Sequence, residues 1–435
     1  MTVTRRDLLA GLGGAALTVA GRPRALWAAT PAAGEAPPTL PGPQASFPRK
    51  ADFSIEDGYT YINAAYTHPI PRVSVEAARR AADARGTLRP TPPPSGRGGG
   101  VGAPNPRAQF ADLIGAKPNE IAYVSSTSEG ENLVVRALGL DHRFEGNVVT
   151  DGLHFEGAIM HLLELRSRGL DVRVVEPTKD FRVSLADLAG AMDRNTKLVE
   201  VSSAAMYNGF QHDLKAVCDL AHDRGALVYA DIVHTAGAEP FDVKASGVDF
   251  AACSSFKWLM GDFGLGFLYV KESVLPRLTR PVVGYYQAPN LDANYPPNLP
   301  TGAYRPVEYS YGPPTAASYF EMGTLTGSAM ANLALLSSSL AYVKALGPAN
   351  IQAHRIPLIR RLQQEVPRFG FVSVTPPDAT GGNVSFARKG LADSDVPRRL
   401  AAAKVNVRLV RDWMRLSPSV YNDMGDVERF LAALG

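Results

Sequence analysis

Two short stretches of this sequence carry residues whose chemistry depends on their being read together. Leu227-Val228-Tyr229-Ala230-Asp231-Ile232-Val233-His234 is an apolar run that reaches a carboxylate, and Ser254-Ser255-Phe256-Lys257-Trp258 supplies an amine one helix and one strand further on. A carboxylate at the end of a buried strand is costly unless it meets a positive group, and the protonated ring nitrogen of a bound heteroaromatic molecule is such a group. A lysine in the same cleft, its charge disfavoured by burial, offers an amine that can form a Schiff base with a carbonyl and afterwards move protons. Alone, each residue has a plainer reading: an Asp after a strand is more often a helix cap, and a Lys before Trp-Leu is more often on the surface. The case rests on their combination, with His234 as a third candidate, although a lone histidine is more often a satisfied core residue.

The elements that must position these groups follow from periodicity. Ile121 to Val124, Asn147 to Thr150, Val172 to Val175, Lys197 to Val201, Leu227 to Ala230 and Gly266 to Val270 are short apolar runs separated by amphipathic stretches. That alternation predicts an α/β domain around a mostly parallel sheet. Ligands of such sheets gather at the carboxyl ends of the strands, where Asp231 falls. After about residue 330 a helix (Ser328 to Ala345), strands and a closing helix predict a smaller C-terminal α+β domain. Pro90 to Pro106 is too rich in Pro and Gly for a helix or a central strand and reads as a mobile surface loop. The Tyr- and Pro-rich stretch from Gly284 to Tyr319 is expected to line the substrate entrance. The chain thus divides into 53–106, an N-terminal segment with the loop, 107–325, a large ligand-binding domain, and 326–435, a small domain. A Pro/Ala-rich tether, 30–52, and a leader, 1–29, precede them.

The leader places Thr4-Arg5-Arg6-Asp7-Leu8-Leu9 before a modest apolar stretch that is shorter than the ~20 residues a membrane span needs. It resembles a twin-arginine export signal with a processing site near Ala28 and Ala29, and it predicts a periplasmic protein handed folded to the twin-arginine translocation machinery. The plainer reading is a basic start to a soluble helix. The formal charge of +3, from 45 basic and 42 acidic residues, falls to neutral once residues 1–29 with their four arginines and Asp7 are removed. No block of like charge marks a nucleic-acid or membrane-surface footprint, so a small molecule is the expected partner. Cys218 and Cys253 show no metal-ligand spacing and read as small buried residues.

Several further segments resemble the class V aminotransferase family, the fold type I enzymes of pyridoxal 5'-phosphate (PLP) that include cysteine desulfurases and isopenicillin N epimerase-like proteins. The resemblance runs from Tyr61-Ile62-Asn63-Ala64-Ala65 to Leu434. It implies a fold type I PLP-dependent transferase with a seven-stranded-type sheet, a Schiff base on Lys257, and Asp231 at the pyridine nitrogen, where pairing keeps the ring cationic and electron-withdrawing. Ser126-Thr127-Ser128-Glu129-Gly130-Glu131-Asn132 matches the phosphate-binding turn, which gives Thr127 and Ser128 to the phosphate; the same letters also make a helix N-cap. Ser254 matches a further phosphate ligand, and His234 falls where relatives direct a Gln or His at the cofactor's O3' or the Schiff base. In Leu153-His154-Phe155-Glu156 the residue stacked on the ring is His154 or, one position on, Phe155. Phe320-Glu321-Met322-Gly323-Thr324 matches a segment whose Thr324 reaches the cofactor phosphate of the partner in a homodimer with shared active sites. Arg415, in Met414-Arg415-Leu416-Ser417, matches the arginine that binds the substrate carboxylate, a task suited to its planar fork, and Asn63 joins it in substrate binding.

Departures from the family narrow the reaction. Lys404 to Met414 holds no cysteine, which argues against desulfuration through an enzyme persulfide. Met206 stands in place of an Asn near O3', and Phe256 replaces the His before the lysine. The resemblance implies an amino-acid-like amine substrate and leaves transamination, elimination of a β- or γ-group, and epimerisation open. An inactive binding protein on the same fold is the alternative of another class; the joint presence of Lys257, Asp231 and Arg415 argues against it. The leader yields its own test: Arg5 and Arg6 replaced by Lys keep the charge and remove the guanidinium pair, so that variant is expected to stay in the cytoplasm, unprocessed and active. Subcellular fractionation that finds wild type and variant equally cytoplasmic and full length would remove the export reading.

Overall fold

The structure, a computed structural model, describes residues 39–42, 46–87, 105–284, 287–288, 309–323 and 330–435. Seven strands form one sheet: β1 (Ile121–Val124), β2 (Asn147–Asp151), β3 (Asp171–Val175), β4 (Thr196–Ser202), β5 (Leu227–Asp231), β6 (Phe250–Ser254) and β7 (Gly266–Val270). Their order is β1-β7-β6-β5-β4-β2-β3. The strands β3, β2, β4, β5 and β6 pair in parallel, and β7 runs antiparallel to both its neighbours. This is the expected mostly parallel α/β sheet. The strand missing from the six apolar runs is β6, whose Phe-Ala-Ala-Cys-Ser sequence has little intrinsic strand preference and is held by partners on both sides.

The central strands are apolar on both faces because both are covered. Val228 and Ala230 of β5 pack with Val199 and Val201 of β4 under α2 (Pro106–Leu113), α5 (Leu185–Ala191) and α6 (Leu214–His222), while Leu227 and Tyr229 point the other way, under α3 (Thr127–Ala137) and α4 (Glu156–Ser167). An N-terminal helix, α1 (Arg72–Gly86), lies against α7 (Met330–Leu346). Gly130 sets how closely α3 approaches the sheet, since a Cβ there would stand 3.0 Å from the Ala252 Cβ of β6.

The smaller unit packs α8 (Pro348–Glu365) and α9 (Met424–Leu434) on an antiparallel sheet of order β10-β11-β9-β8, with β8 (Val372–Ser373), β9 (Val384–Ala387), β10 (Arg408–Val410) and β11 (Trp413–Leu416). Alternation along β11 sends Met414 and Leu416 into the core of that unit and turns Trp413 and Arg415 toward the large one. There the Trp413 indole N–H donates to the Tyr207 carbonyl at 3.1 Å and Arg415 Nη1 donates to the Met206 carbonyl at 3.2 Å.

Two boundaries differ from the sequence reading. Residues 46–52 belong to the folded body rather than to a tether: Phe47 stacks on His354 at 4.6 Å, Arg49 N–H donates to the Val420 carbonyl at 2.7 Å, and Asp52 accepts from the Tyr342 hydroxyl at 2.7 Å. An aromatic stack and hydrogen bonds to distant residues suffice to anchor a stretch without periodicity. Pro106 closes no loop but opens α2, where its missing N–H costs nothing and the Asn105 side chain caps the Ala108 N–H at 3.1 Å. Residues 1–29, residues 90–104, Tyr285 and Tyr286, 289–308, Thr324 and Ser328 lie outside the described residues.

The turn that carries Lys257 is fixed by its neighbour. Trp258 is fully buried, and the buried guanidinium of Arg355 on α8 stands 4.9 Å from its ring while donating to the Ala238 carbonyl at 2.7 Å. Trp258→Ala is therefore expected to cost ~3–5 kcal/mol of stability, by cavity formation and by uncovering the Arg355 charge. Trp258→Phe, which keeps an aromatic face, is expected to cost less. Urea unfolding of the two variants checks the order; equal midpoints for wild type and Trp258→Ala would refute the role given to this contact.

Candidate active site

The carboxyl ends of β5 and β6 and the turns beyond β1 and β2 converge at one place. Asp231 closes β5 and is buried; its Oδ1 accepts the Val233 N–H at 2.9 Å, so the carboxylate caps the turn that leads to His234. Asp231 thus caps a turn rather than a helix, and its second oxygen is left to face the site. Burial raises its pKa, and Lys257 and His154 act against that rise. Lys257 lies in the turn after β6, which is closed by Met260 N–H to the Lys257 carbonyl at 2.9 Å and Gly261 N–H to the Ser255 carbonyl at 2.8 Å. Its Nζ sits 3.1 Å from His234 Nε2, 5.7 Å from the centre of the Phe155 ring and 5.9 Å from that of Phe256.

Burial pushes the Lys257 ammonium down to about 8, Asp231 pulling it up and Arg415 pressing it down. The same burial, with Lys257 and Arg415 as positive neighbours, drives His234 well below the usual histidine range. The pair is therefore a neutral imidazole beside an amine that gives up its proton near neutral pH, with His234 Nδ1 left without a hydrogen-bond partner. Arg415 is fully buried and its Nε also has no partner. Burial and then Arg408 lower its pKa to about 9, so it remains a cation at neutral pH. Asn63 bridges to Ser417, just beyond Arg415, donates to Asn406 Oδ1 at 3.1 Å and keeps its own Oδ1 unpaired. Met206 contributes its backbone, as the acceptor for Arg415, rather than its side chain.

A third component is the start of α3. Ser126 caps it by accepting the Glu129 N–H at 3.1 Å, and the Thr127 N–H donates to the Ser254 Oγ at 3.0 Å, which ties the helix to the end of β6. The Ser254 hydroxyl proton is left to donate elsewhere. Thr127, Ser128 and Ser254 thus surround the positive end of an eleven-residue helix, a fit for a phosphate group.

The two candidates for the stacking position are placed differently. His154 is enclosed, with Nδ1 at 2.8 Å from Ser202 Oγ and Nε2 at 3.2 Å from Glu131 Oε1, so it has no face to offer a ring. The cause is the turn after β2, where Asp151 Oδ1 accepts from both Leu153 N–H and His154 N–H, at 2.7 and 2.9 Å, and turns His154 inward. Phe155, half-buried and facing the Lys257 amine, takes the place over the site. The sequence reading passed over Glu131, Glu200 and His161; the available signal was a carboxylate on the sheet-facing side of α3 and another inside the run Lys197 to Val201.

A buried amine of lowered pKa, a buried carboxylate awaiting a positive partner, an aromatic face and a helix start beside a hydroxyl match, group for group, the aldehyde, ring nitrogen, ring face and phosphate of PLP. The family profile described as Aminotransferase class-V matches residues 102–430. A protein named as a probable cysteine desulfurase from Methanothermobacter thermautotrophicus is 30% identical over 295 residues, which span 68% of this chain and 69% of that one. Among solved structures, the apo cysteine desulfurase of Thermococcus onnurineus aligns with a TM-score of 0.74 at 23% identity, over 89% of this chain and 97% of its own. The cystine C–S lyase C-DES, in complex with its product cysteine persulfide, aligns with a TM-score of 0.72 at 18% identity, over 87% and 97% of the two chains. A variant of C-DES carries glycine covalently linked to its PLP cofactor. These likenesses show the fold, and the relatives' names run against the expectation that desulfuration is excluded. Since the profile matches well over half of the chain, the chain belongs to the class-V aminotransferase family and is a PLP-dependent enzyme of fold type I.

Proposed function

We propose that this enzyme acts on the amine of an amino-acid-like substrate and cleaves a bond between its β-carbon and a heteroatom, with sulfur as the favoured leaving atom. The observation that carries the reading is the Lys257 amine, buried, with its pKa lowered to about 8, and placed between His234 and the field of Asp231. When bound, the cofactor supplies an electron sink for the pair left at the substrate's α-carbon. Lys257 would hold the cofactor through its aldehyde and, once freed, would take the α-proton; His234, 3.1 Å away, would relay that proton. Asp231 keeps the ring nitrogen cationic, and Phe155 covers the ring. Thr127, Ser128 and Ser254 hold the phosphate, and Thr324 does so from the partner in a homodimer. Arg415 and Asn63 take the substrate carboxylate.

Carbon–sulfur cleavage is favoured by the names of the relatives, and this chain's own thiols limit how it proceeds. Cys218 and Cys253 are both buried and unpaired, and burial raises the pKa of each, to about 12 for Cys218 and well above the usual range for Cys253. Neither is a thiolate acceptor. In the proposed elimination Lys257 removes the α-proton, the electron pair forms the α,β double bond, the β-carbon–sulfur bond breaks, and sulfur departs on a small-molecule thiolate or persulfide rather than on the enzyme. Transamination stands as the second reading, supported by the family's class. Periplasmic action, through the leader at 1–29, is part of the proposal. Incubating the holoenzyme with cystine, cysteine and a panel of other amino acids, with and without an oxo-acid acceptor, separates the readings. Persulfide and a keto acid formed without acceptor support elimination, acceptor-dependent amine transfer supports transamination, and loss of optical rotation without new products supports epimerisation.

The amine chemistry fixes a pH dependence. A lysine whose pKa lies near 8 instead of its ordinary 10.5 is nucleophilic once pH passes through about 8, so the rate at which cofactor-free protein captures PLP is expected to rise through that range and level off above it. Stopped-flow absorbance reads this rate. A rate still climbing steeply past pH 9.5, or borohydride-stable cofactor retained by Lys257→Ala, would overturn the lysine assignment.

Arg415→Ala is expected to weaken binding of a carboxylate-bearing substrate by ~2–5 kcal/mol, the scale for truncating one side of a buried charge pair. The matching decarboxylated amine should be unaffected. Equal losses on both ligands in a titration followed by cofactor absorbance would mean that Arg415 is structural.

A further inference from the structure

The layer between a sheet and its covering helices is normally apolar, yet behind Asp231 it is not. Glu131 of α3, His154 before α4, His161 within α4, and Glu200 and Ser202 of β4 meet there, and all but the partly buried His161 are buried. His154 Nε2 stands 3.2 Å from Glu131 Oε1, and His161 Nε2 stands 3.6 Å from Glu200 Oε2. Both oxygens of each carboxylate, and the Nε2 of each histidine, have no hydrogen-bond partner of ordinary geometry, a concentration of buried polar atoms that calls for a reason. Among the described residues no three such groups converge closely enough to hold a metal ion.

Proton placement follows from donor and acceptor types. His161 Nδ1 lies 2.5 Å from the Ala158 carbonyl, which can only accept, so the Nδ1 carries a hydrogen. Its Nε2 then faces the Glu200 carboxylate attractively only if one proton lies between them. At the other pair, His154 is held through Nδ1 by Ser202, and the sheet register sets Ser202 directly beside Asp231. The His154 ring therefore sits next to Asp231 on the sheet face that the site shares.

We propose that Glu131 and His154 are positioning residues for Asp231: Glu131 keeps His154 in its imidazolium form, and this cation keeps Asp231 ionised beneath the ring nitrogen of PLP. The inference rests on the reading of Asp231 as that nitrogen's partner. Charge balance supports it, because the carboxylates Glu131, Glu200 and Asp231 are matched by His154, His161 and one ring N–H. The groups around His154 are Glu131 from α3, Asp151 from β2 with His212 at 3.0 Å from it, Glu200 from β4, Asp231 and the Tyr229 phenol from β5, and His161 from α4; Lys257 faces Asp231 from beyond β6. Burial opposes the His154 charge, but Glu131, then Asp231 and Asp151, raise it to about 9. Burial raises Glu131 to about 7, with His154 pulling it down. The pair therefore loses its imidazolium as pH rises and its carboxylate as pH falls.

The test is nitrogen NMR of the full chain labelled at histidine, with and without cofactor, His154 being assigned through His154→Gln. Wild type is expected to show an imidazolium at His154 at pH 8. Glu131→Gln, which keeps the shape and removes the charge, should lower its midpoint by at least about one unit, and Glu131→Asp should restore part of the shift. With nitrogen-labelled PLP bound, the ring nitrogen should be protonated at pH 8 in wild type and less so in Glu131→Gln. A neutral His154 in wild type at pH 8 overturns the proposal even if Glu131→Gln fails to fold, and an unmoved His154 midpoint or ring-nitrogen signal in Glu131→Gln does so as well. Absence of any PLP binding would instead remove the functional reading, while the histidine titration would still be measured.

Discussion

The organisation of this molecule turns on one constraint: Asp231 ends a central strand with sheet on both sides, where water does not reach its carboxylate. An isolated ion there costs several kcal/mol even after the protein relaxes, so positive groups must be brought to it from elsewhere. They arrive on separate elements. Lys257 comes from the turn after β6, and His154 from the turn after β2, which the sheet order sets on the other flank of β5. The same low-dielectric surroundings that make Asp231 demanding make Lys257 a ready amine and leave His234 uncharged. One physical condition thus sets the charge state of an amine, a carboxylate and an imidazole that meet at one place in the fold.

How much of this was legible in the sequence depends on whether a rule of periodicity governs the residue. The strand before Asp231 and the capped start of α3 obey such rules; Lys257 was legible from its combination with Asp231 and Arg415 through the resemblance, and the structure brings them together. His154 and Phe155 do not. Which one turns inward depends on two backbone bonds to Asp151, a feature of one turn with no repeat to betray it. The anchoring of residues 46–52 was hidden for a similar reason, since its contacts, Phe47 on His354 and Arg49 on Val420, lie some three hundred residues away along the chain. The polar layer of Glu131 and Glu200 was present in the letters as charges at apolar positions, and such exceptions to a pattern carry more information than its confirmation.

The two sulfur atoms illustrate the opposite case, in which composition was enough. Two cysteines, neither near a second ligand nor near the loop before Arg415, read as buried thiols, and the structure finds both buried in the core on one face of the sheet. Relatives that share the fold carry names tied to sulfur chemistry. Fold and name therefore travel further through this family than the side chain that would accept sulfur, and the reaction of this member has to be argued from Lys257, Arg415 and their surroundings.

The contact between Trp258 and Arg355 has a mechanical side. Trp258 follows Lys257 directly, and Arg355 sits on α8, whose opposite face is built into the core of the small unit that also carries Arg415. The Lys257 amine and Arg415 are thereby linked through one indole ring. Any displacement of the small unit would therefore act on the turn that bears Lys257 as well as on Arg415.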